Sequence, residues 1–258
     1  MAGRQRRAAI TALQLLVLVA FFGLWEWLSR AGTLREFIFS RPSKIGQQLW
    51  TWLHSGFLWP HVWVTLQETA LAFVYGMAAG VVVGFLLARI GILSSIFGPF
   101  IQMLNALPRV VLAPVFIVLF GTGTHSKIAL GFSLVFFIVF YNTYRGVRDV
   151  DQTLINKARV LGASEAQLTR HVLLPSALSW IFASLHTSVG FALGGVVVAE
   201  YIQSTRGIGH LIALYEGNFN STGMFAGMAV LLVVILFVEV GIVLLERRLL
   251  VWQPAGGQ

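Results

Sequence analysis

The amino-acid sequence predicts an all-α, polytopic membrane protein with six transmembrane helices. Hydrophobic residues make up 57% of the 258 residues and charged residues only 11%, whereas soluble domains average roughly 45–50% and about 25%. So few charges cannot cover a soluble globule of this length. A helix of about 20 apolar residues crosses the bilayer, and we identify six candidate spans: Ile10–Leu28, Val64–Ala88, Ile96–Phe120, Ile128–Tyr144, Ser176–Ala199 and Met224–Leu245.

The first apolar segment has a second interpretation, because arginines within the first seven residues precede it as they would precede the core of a signal peptide. A signal peptide ends in small residues at its cleavage site. Here Trp25, Glu26 and Trp27 occupy that position. We therefore predict a transmembrane helix that is retained in the protein.

The connection between the first two spans is too long for a turn. Arg41-Pro42-Ser43 is a plausible helix start, and Ile45, Leu49 and Trp52 follow at helical spacing among several tryptophans. Such a segment is typical of an amphipathic helix in the membrane interface. We predict a single domain over residues 1–258, with an N-terminal helix plus interfacial segment in residues 1–63 and core helices in residues 64–251.

Lysine and arginine predict the orientation, because they accumulate in cytoplasmic loops. With the amino terminus inside, eleven of these residues lie on the cytoplasmic side and six on the outer side, while Arg109 lies within a span. We therefore expect both termini in the cytoplasm. The net charge of +8 is spread over the ends of apolar segments rather than clustered on one face. This distribution predicts that the chain is embedded in the lipid bilayer and does not bind nucleic acid.

The sequence contains no recognisable catalytic set. A phosphate-binding loop requires a Gly-Lys pair, and this chain has none. The absence of cysteine excludes thiolate metal sites and cysteine nucleophiles. The six histidines show no metal-binding spacing. We predict no catalytic residues, no metal site and no enzyme activity.

The loop between the fourth and fifth spans, residues 145–175, is the most polar stretch of the chain. Residues 151–175 read as a short helix, a break at Gly162 and a second short helix, with Pro175 in the first turn of the next span. Gly162 suits the break because glycine adopts left-handed backbone conformations without strain. The residue pattern alone fits either a surface hairpin or a knob that docks into a soluble partner.

The spacing of this loop resembles the motif of ATP-binding-cassette importer permeases. Ala158, Gly162 and Leu174-Pro175 occupy the positions of that motif, although Asn156 replaces its glutamate and Lys157 its first alanine. The resemblance implies that the loop couples the permease to a separate ATPase. The implied coupling residues are Asn156, Lys157, Ala158, Leu161, Gly162, Ala163 and Pro175.

Other stretches are similar to the nitrate, sulfonate and taurine subfamily of these permeases. They are Arg41-Pro42-Ser43, Leu104–Pro108 leading to Phe120–Gly123, Ala199-Glu200, and Gly207-Ile208-Gly209. The resemblance implies the type I importer permease fold in the bacterial inner membrane. It also implies a small anionic or polar solute, such as nitrate, a sulfonate or taurine.

The resemblance further implies a division of labour. Two permeases form the pore, and a second copy of this chain is our default because twofold pairing is the commonest assembly. Two ATPase chains carry ATP and magnesium, so this chain needs no cofactor, and an extracytoplasmic binding protein delivers the solute. The alternative is a stand-alone ion-coupled secondary transporter or channel, which predicts paired broken helices and intramembrane acids.

Polar groups at membrane depth are the candidates for the translocation path. We predict Asn105, Pro108, Arg109 and Glu200 there. An arginine facing the pore would favour an anion. The alternative for Arg109 is a structural pairing with Glu68, Glu200 or backbone carbonyls. Glu200 is expected at the outer mouth, facing the binding protein or the solvated interface, and His186 and Glu239 are expected to serve helix packing.

Overall fold

The structure is a computed structural model that describes the backbone of residues 2–249, without the side chains of residues 2–5, 7, 8, 102, 105, 106 and 245–249. Its regular elements are helices, which confirms the predicted all-α class. In chain order they are α1 Ala2–Arg30, α2 Glu36–Phe39, α3 Pro42–His54, α4 Leu58–Arg89, α5 Gly91–Ala106, α6 Ala113–Phe120, α7 Thr124–Arg148, α8 Gln152–Val160, α9 Glu165–Leu168, α10 Leu174–Ile202, α11 Ile208–Gly217 and α12 Ser221–Leu249.

Within the described residues, five helices are long and apolar enough to cross a membrane. They correspond to the first, second, fourth, fifth and sixth predicted spans. The third, Ile96–Phe120, is divided between α5, a 3₁₀ turn at Arg109–Leu112 and α6. Leu107 and Pro108 have extended backbone conformations between them. The proline accounts for this break, since it disfavours a helical conformation in the residue before it.

The core of the bundle is α7, which packs between α4 and α10. Gly76, Gly80 and Gly84 of α4 lie along the contact with α7. A Cβ atom at Gly84 would lie 2.7 Å from the carbonyl oxygen of Phe140. Small residues at four-residue spacing therefore allow the two backbones to approach closely, as is common between transmembrane helices.

The predicted amphipathic helix is present as α3, with Pro42 in its first turn. Ile45 and Trp52 are buried against α11 and α12, while Trp50 remains exposed. Glu36 of α2 forms ion pairs with Lys44 and Arg41. The hydrogen bond from Lys44, together with the attraction of Arg41, holds the pKa of the Glu36 carboxyl below its usual value. These contacts fix the segment between the first two spans against the core.

Candidate functional site

The polar loop begins with α8, which is capped at its start by Asp151. The Asp151 carboxylate accepts a hydrogen bond from the backbone N–H of Thr153 at 2.7 Å, as is usual for an acidic residue that precedes a helix. The helix ends at Val160, and Gly162, two residues later, has a φ of +81° in the left-handed region. The Gly162 N–H donates a hydrogen bond to the Arg159 carbonyl, and the Ala163 N–H donates one to the Ala158 carbonyl. Gly162 is therefore the residue at which the chain reverses direction.

The second part of the loop differs from the expected separate short helix. Ser164 and Gln167 form a reciprocal cap at the start of α9, but the chain then continues through a π turn at Thr169–Leu173 into α10. Pro175 lies in the first turn of α10, as predicted. The N–H of Leu174 bonds the carbonyl of Thr169, five residues earlier. Such a wider turn can absorb the irregularity that a proline introduces.

The end of α8 presents apolar side chains to solvent. Val160 and Leu161 are both 87% exposed, and Leu154 is exposed on the same helix. A shallow cleft of about 370 Å³ lies beside them, between Ala158 and Val172. Asn156 and Lys157 are exposed on α8. Exposed apolar groups clustered at the tip of a polar loop are typical of a protein-binding surface.

Sequence reasoning missed Glu165, which braces this loop. Its carboxylate accepts hydrogen bonds from Arg89 at 2.7 Å and from Arg159 at 3.1 Å. Arg89 is the last residue of α4, and Arg159 lies in the last turn of α8. Glu165 therefore connects the loop to the end of a long span, a link between distant segments that local spacing does not reveal.

At the opposite end of the bundle, Glu200 is fully buried rather than exposed at a mouth. Its carboxylate accepts hydrogen bonds from the Thr65 hydroxyl at 2.6 Å and from the Gly209 N–H at 2.8 Å. Thr65 in turn accepts the N–H of Ile208 at 2.9 Å. The turn after α10 folds back over the carboxylate, and this removes Glu200 from solvent.

The Gly207-Ile208-Gly209 stretch forms the cradle for this carboxylate. Gly207 has a φ of +113°, and a Cβ atom there would overlap the Glu200 carboxylate. A Cβ atom at Gly209 would collide with the backbone carbonyl of Val197. The Gly207 N–H also donates to Nδ1 of His61 at 3.2 Å. Both glycines are therefore required by close approach to the end of α10.

Lys127 and Glu68 are two further buried charges beside Glu200. Lys127 donates hydrogen bonds to the carbonyls of Thr122 and, at 2.9 Å, Gly123. It is also attracted to the carboxylates of Glu68 and Glu200. Buried charges persist when they are paired and hydrogen-bonded. This cluster joins α4, α7 and α10, although the predicted fourth span, Ile128–Tyr144, begins only after Lys127.

The break in the third predicted span contains Pro108 and Arg109. The Arg109 guanidinium lies over the ring of Phe137 on α7, 4.6 Å from its centroid, in a favourable cation–π position. Val110, the next residue, is exposed. The Asn105 side chain lies outside the described residues. The structure thus places the Arg109 guanidinium against α7 at the break.

The described residues contain no group of three or more His, Asp or Glu that could hold a metal ion. Residues 76–251 match the family model "Binding-protein-dependent transport system inner membrane component". The chain belongs to this family. It is a multi-pass inner-membrane permease subunit of an ATP-binding-cassette importer and not an enzyme.

Two curated relatives show the range of the similarity. A Bacillus subtilis (strain 168) protein, provisionally named an aliphatic sulfonates transport permease, is 32% identical over 97% of this chain and 90% of its own length. The taurine transport system permease protein of Escherichia coli (strain K12) is 33% identical, covering 76% of this permease and 71% of its own length. These relatives confirm the predicted resemblance to the sulfonate and taurine subfamily.

A solved structure supports the fold. The matching chain belongs to the MetNI methionine ABC transporter in an inward-facing conformation, with a TM-score of 0.62 and 21% identity over 74% of this permease and 95% of that chain. The predicted importer permease fold is therefore confirmed. Membership of the family implies ATPase and substrate-binding partners, which favours the permease over the stand-alone transporter that the sequence left open.

Proposed function

We propose that two copies of this permease form the solute path of a bacterial importer that two ATPase chains drive. ATP and magnesium belong to those partner chains, and an extracytoplasmic binding protein delivers the solute. The observation that carries this proposal is the loop tip, where Val160 and Leu161 are 87% exposed beside the Gly162 turn. Such a tip gives a soluble ATPase an apolar knob to bind.

The coupling surface in this proposal comprises Asn156, Lys157, Ala158, Leu161, Gly162 and Ala163, with Pro175 at the start of the following span. Leu161 enters the ATPase groove, and Lys157 lies beside it on α8. The ion pairs of Glu165 with Arg89 and Arg159 then carry a movement of the knob to α4. Asn156 supplies an amide where the motif has a carboxylate, so its contact to the ATPase carries no charge.

The solute path in this proposal passes the break between α5 and α6. Backbone irregularity at membrane depth is tolerated where it lines a cavity or is buried in protein. Pro108 creates the break, Asn105 precedes it, and Arg109 supplies a positive charge. Glu200 holds the turn after α10 in place at the outer end of the path. The positive charge of Arg109 favours a small anionic or polar solute. The names of the sulfonate and taurine relatives point to the same class of solute.

Replacement of Arg109 tests its role in the path. We expect Arg109→Gln to reduce uptake at least tenfold because the solute loses its positive partner, while ATPase copurification stays normal. Arg35→Gln, in the exposed loop before α2, is the matched control and should transport normally. Loss of assembled complex in Arg109→Gln would instead identify Arg109 as a structural residue held by Phe137.

Both termini are proposed to lie in the cytoplasm, together with the coupling loop. Since the chain has no cysteine, single cysteines report the orientation directly. We expect Ser164→Cys to react with an impermeant thiol reagent only after the membrane is opened, and Gln47→Cys on α3 to react in intact spheroplasts. The reverse pattern would contradict this topology.

A further inference from the structure

Two ionisable side chains that we expected to serve helix packing meet in the structure. His186 of α10 and Glu239 of α12 form an ion pair, with 2.6 Å between Nε2 and Oε1. Their side chains are 42% and 48% exposed. The pair therefore stands on an open face of the bundle rather than inside its core.

The position of the pair along both helices places it at membrane depth. His186 lies 12 residues after the start of α10 at Leu174, and Glu239 lies 5 residues before the end of the apolar span at Leu244. At 1.5 Å per residue these are distances of about 18 Å and 8 Å from two ends on the same side of the bundle. Ionisable groups at such depth face the bundle interior or a water-filled cavity.

Two clefts flank the pair and meet over the surface of α10. One, of about 260 Å³, contains Glu239, and the other, of about 450 Å³, contains His186. Gly190 and Gly194 line both clefts. A Cβ atom added at either glycine would have no neighbouring atom within 4 Å, so the space over them is open. The remaining lining is mainly apolar and includes Val110, Phe191, Leu231 and Ile235.

We propose that His186 and Glu239 line the solute path and bind a solute that carries both an amino group and an acidic group. The Glu239 carboxylate accepts hydrogen bonds from the ammonium group, and a ring N–H of His186 donates a hydrogen bond to the acidic group. The apolar clefts accommodate the short carbon chain between them. The inference rests on the proposed permease function, and it narrows the solute from anionic or polar to zwitterionic.

The charges of the site favour this class of solute over a simple anion. The two side chains pair with each other at 2.6 Å, and a zwitterion supplies a partner of opposite charge to each of them. A simple anion would gain the imidazole but leave the Glu239 carboxylate nearby without a cation. Two negative charges at short range repel each other.

Matched solutes that differ only in the amino group test the proposal. The permease–ATPase complex is placed in nanodiscs without the binding protein, and binding of radiolabelled taurine, ethanesulfonate, β-alanine and propionate is measured. We expect taurine and β-alanine to bind at least tenfold more tightly than ethanesulfonate and propionate. Equal binding within both pairs, or no binding of any of the four, would overturn the proposal.

Variants of His186 and Glu239 test whether these two side chains cause the preference for solutes that carry an amino group. Glu239→Gln should abolish the difference between taurine and ethanesulfonate, while His186→Gln should weaken the binding of both. Glu216→Gln and His54→Gln, on α11 and α3, are the matched controls and should keep the wild-type preference. A preference that survives Glu239→Gln would contradict the assignment.

Accessibility of the clefts is a separate test. Thr187→Cys, next to His186, should react with a charged methanethiosulfonate in the assembled complex, because the clefts are in contact with water. Absence of reaction would show that this face is covered by lipid or protein, which overturns the proposal. Copurification of the ATPase, measured on the same samples, reports independently on the proposed permease function.

Discussion

Gly207→Ala should destabilise the permease by about 2–4 kcal/mol, since it combines backbone strain with overpacking. Gly207 has a φ of +113°, and its added Cβ atom would overlap the carboxylate of the fully buried Glu200. Either the cradle opens or Glu200 loses its bond to the Gly209 N–H. The melting temperature of the purified protein and the rate of uptake should both fall.

Two comparisons separate the clash from the strain. Gly32→Ala introduces a residue at a similar left-handed position, φ +78°, but meets no atom within 4 Å, so it should cost about 1 kcal/mol. Combining Gly207→Ala with Glu200→Ala removes the overlapping carboxylate, and the double variant should be less destabilised than the sum of the two single variants. Equal melting temperatures for Gly207→Ala and Gly32→Ala would contradict the cradle.

Gly162→Val should reduce uptake at least tenfold while the protein still inserts into the membrane. The φ of +81° at Gly162 is strained for any residue with a side chain, and most for a β-branched one. The change lies in the loop outside the spans, so the bundle should keep its fold. We expect either a lower amount of copurified ATPase or ATP hydrolysis that no longer drives uptake.

Two control variants distinguish a loss of coupling between ATP hydrolysis and uptake from the effect of backbone strain alone. Gly162→Asn should retain most uptake, since asparagine tolerates the left-handed region. Gly56→Val introduces the same strain at φ +75° in open space between α3 and α4, and uptake should stay coupled to ATP hydrolysis. Normal uptake by Gly162→Val with the wild-type amount of ATPase would refute the role assigned to this turn.

Local features of the fold were predictable because they depend on neighbouring residues. Apolar length is sufficient to predict the long spans, and the residue pattern of the polar loop predicts a break at Gly162, which the structure shows with φ +81°. The division of the third span at Leu107 and Pro108 is also a local effect. Pro108 accounts for the division, although we predicted a single span over Ile96–Phe120.

Contacts between distant residues could not be predicted from spacing. Lys127 reads as a loop charge, yet it is buried near Glu68 and Glu200 because α4, α7 and α10 converge there. His186 and Glu239 are 53 residues apart in the sequence and pair only because α10 and α12 are neighbours. A single sequence carries no signal for such pairs, since many arrangements of the helices satisfy the same hydropathy.

The most direct test of the account is solute uptake into proteoliposomes that contain this permease. We predict ATP-driven uptake only when the permease, its ATPase and the binding protein are all present, and no saturable ATP hydrolysis by the permease alone. An ion gradient without ATP should drive no uptake. Gradient-driven uptake by the permease alone, or ATP hydrolysis without a copurifying subunit, would contradict the account.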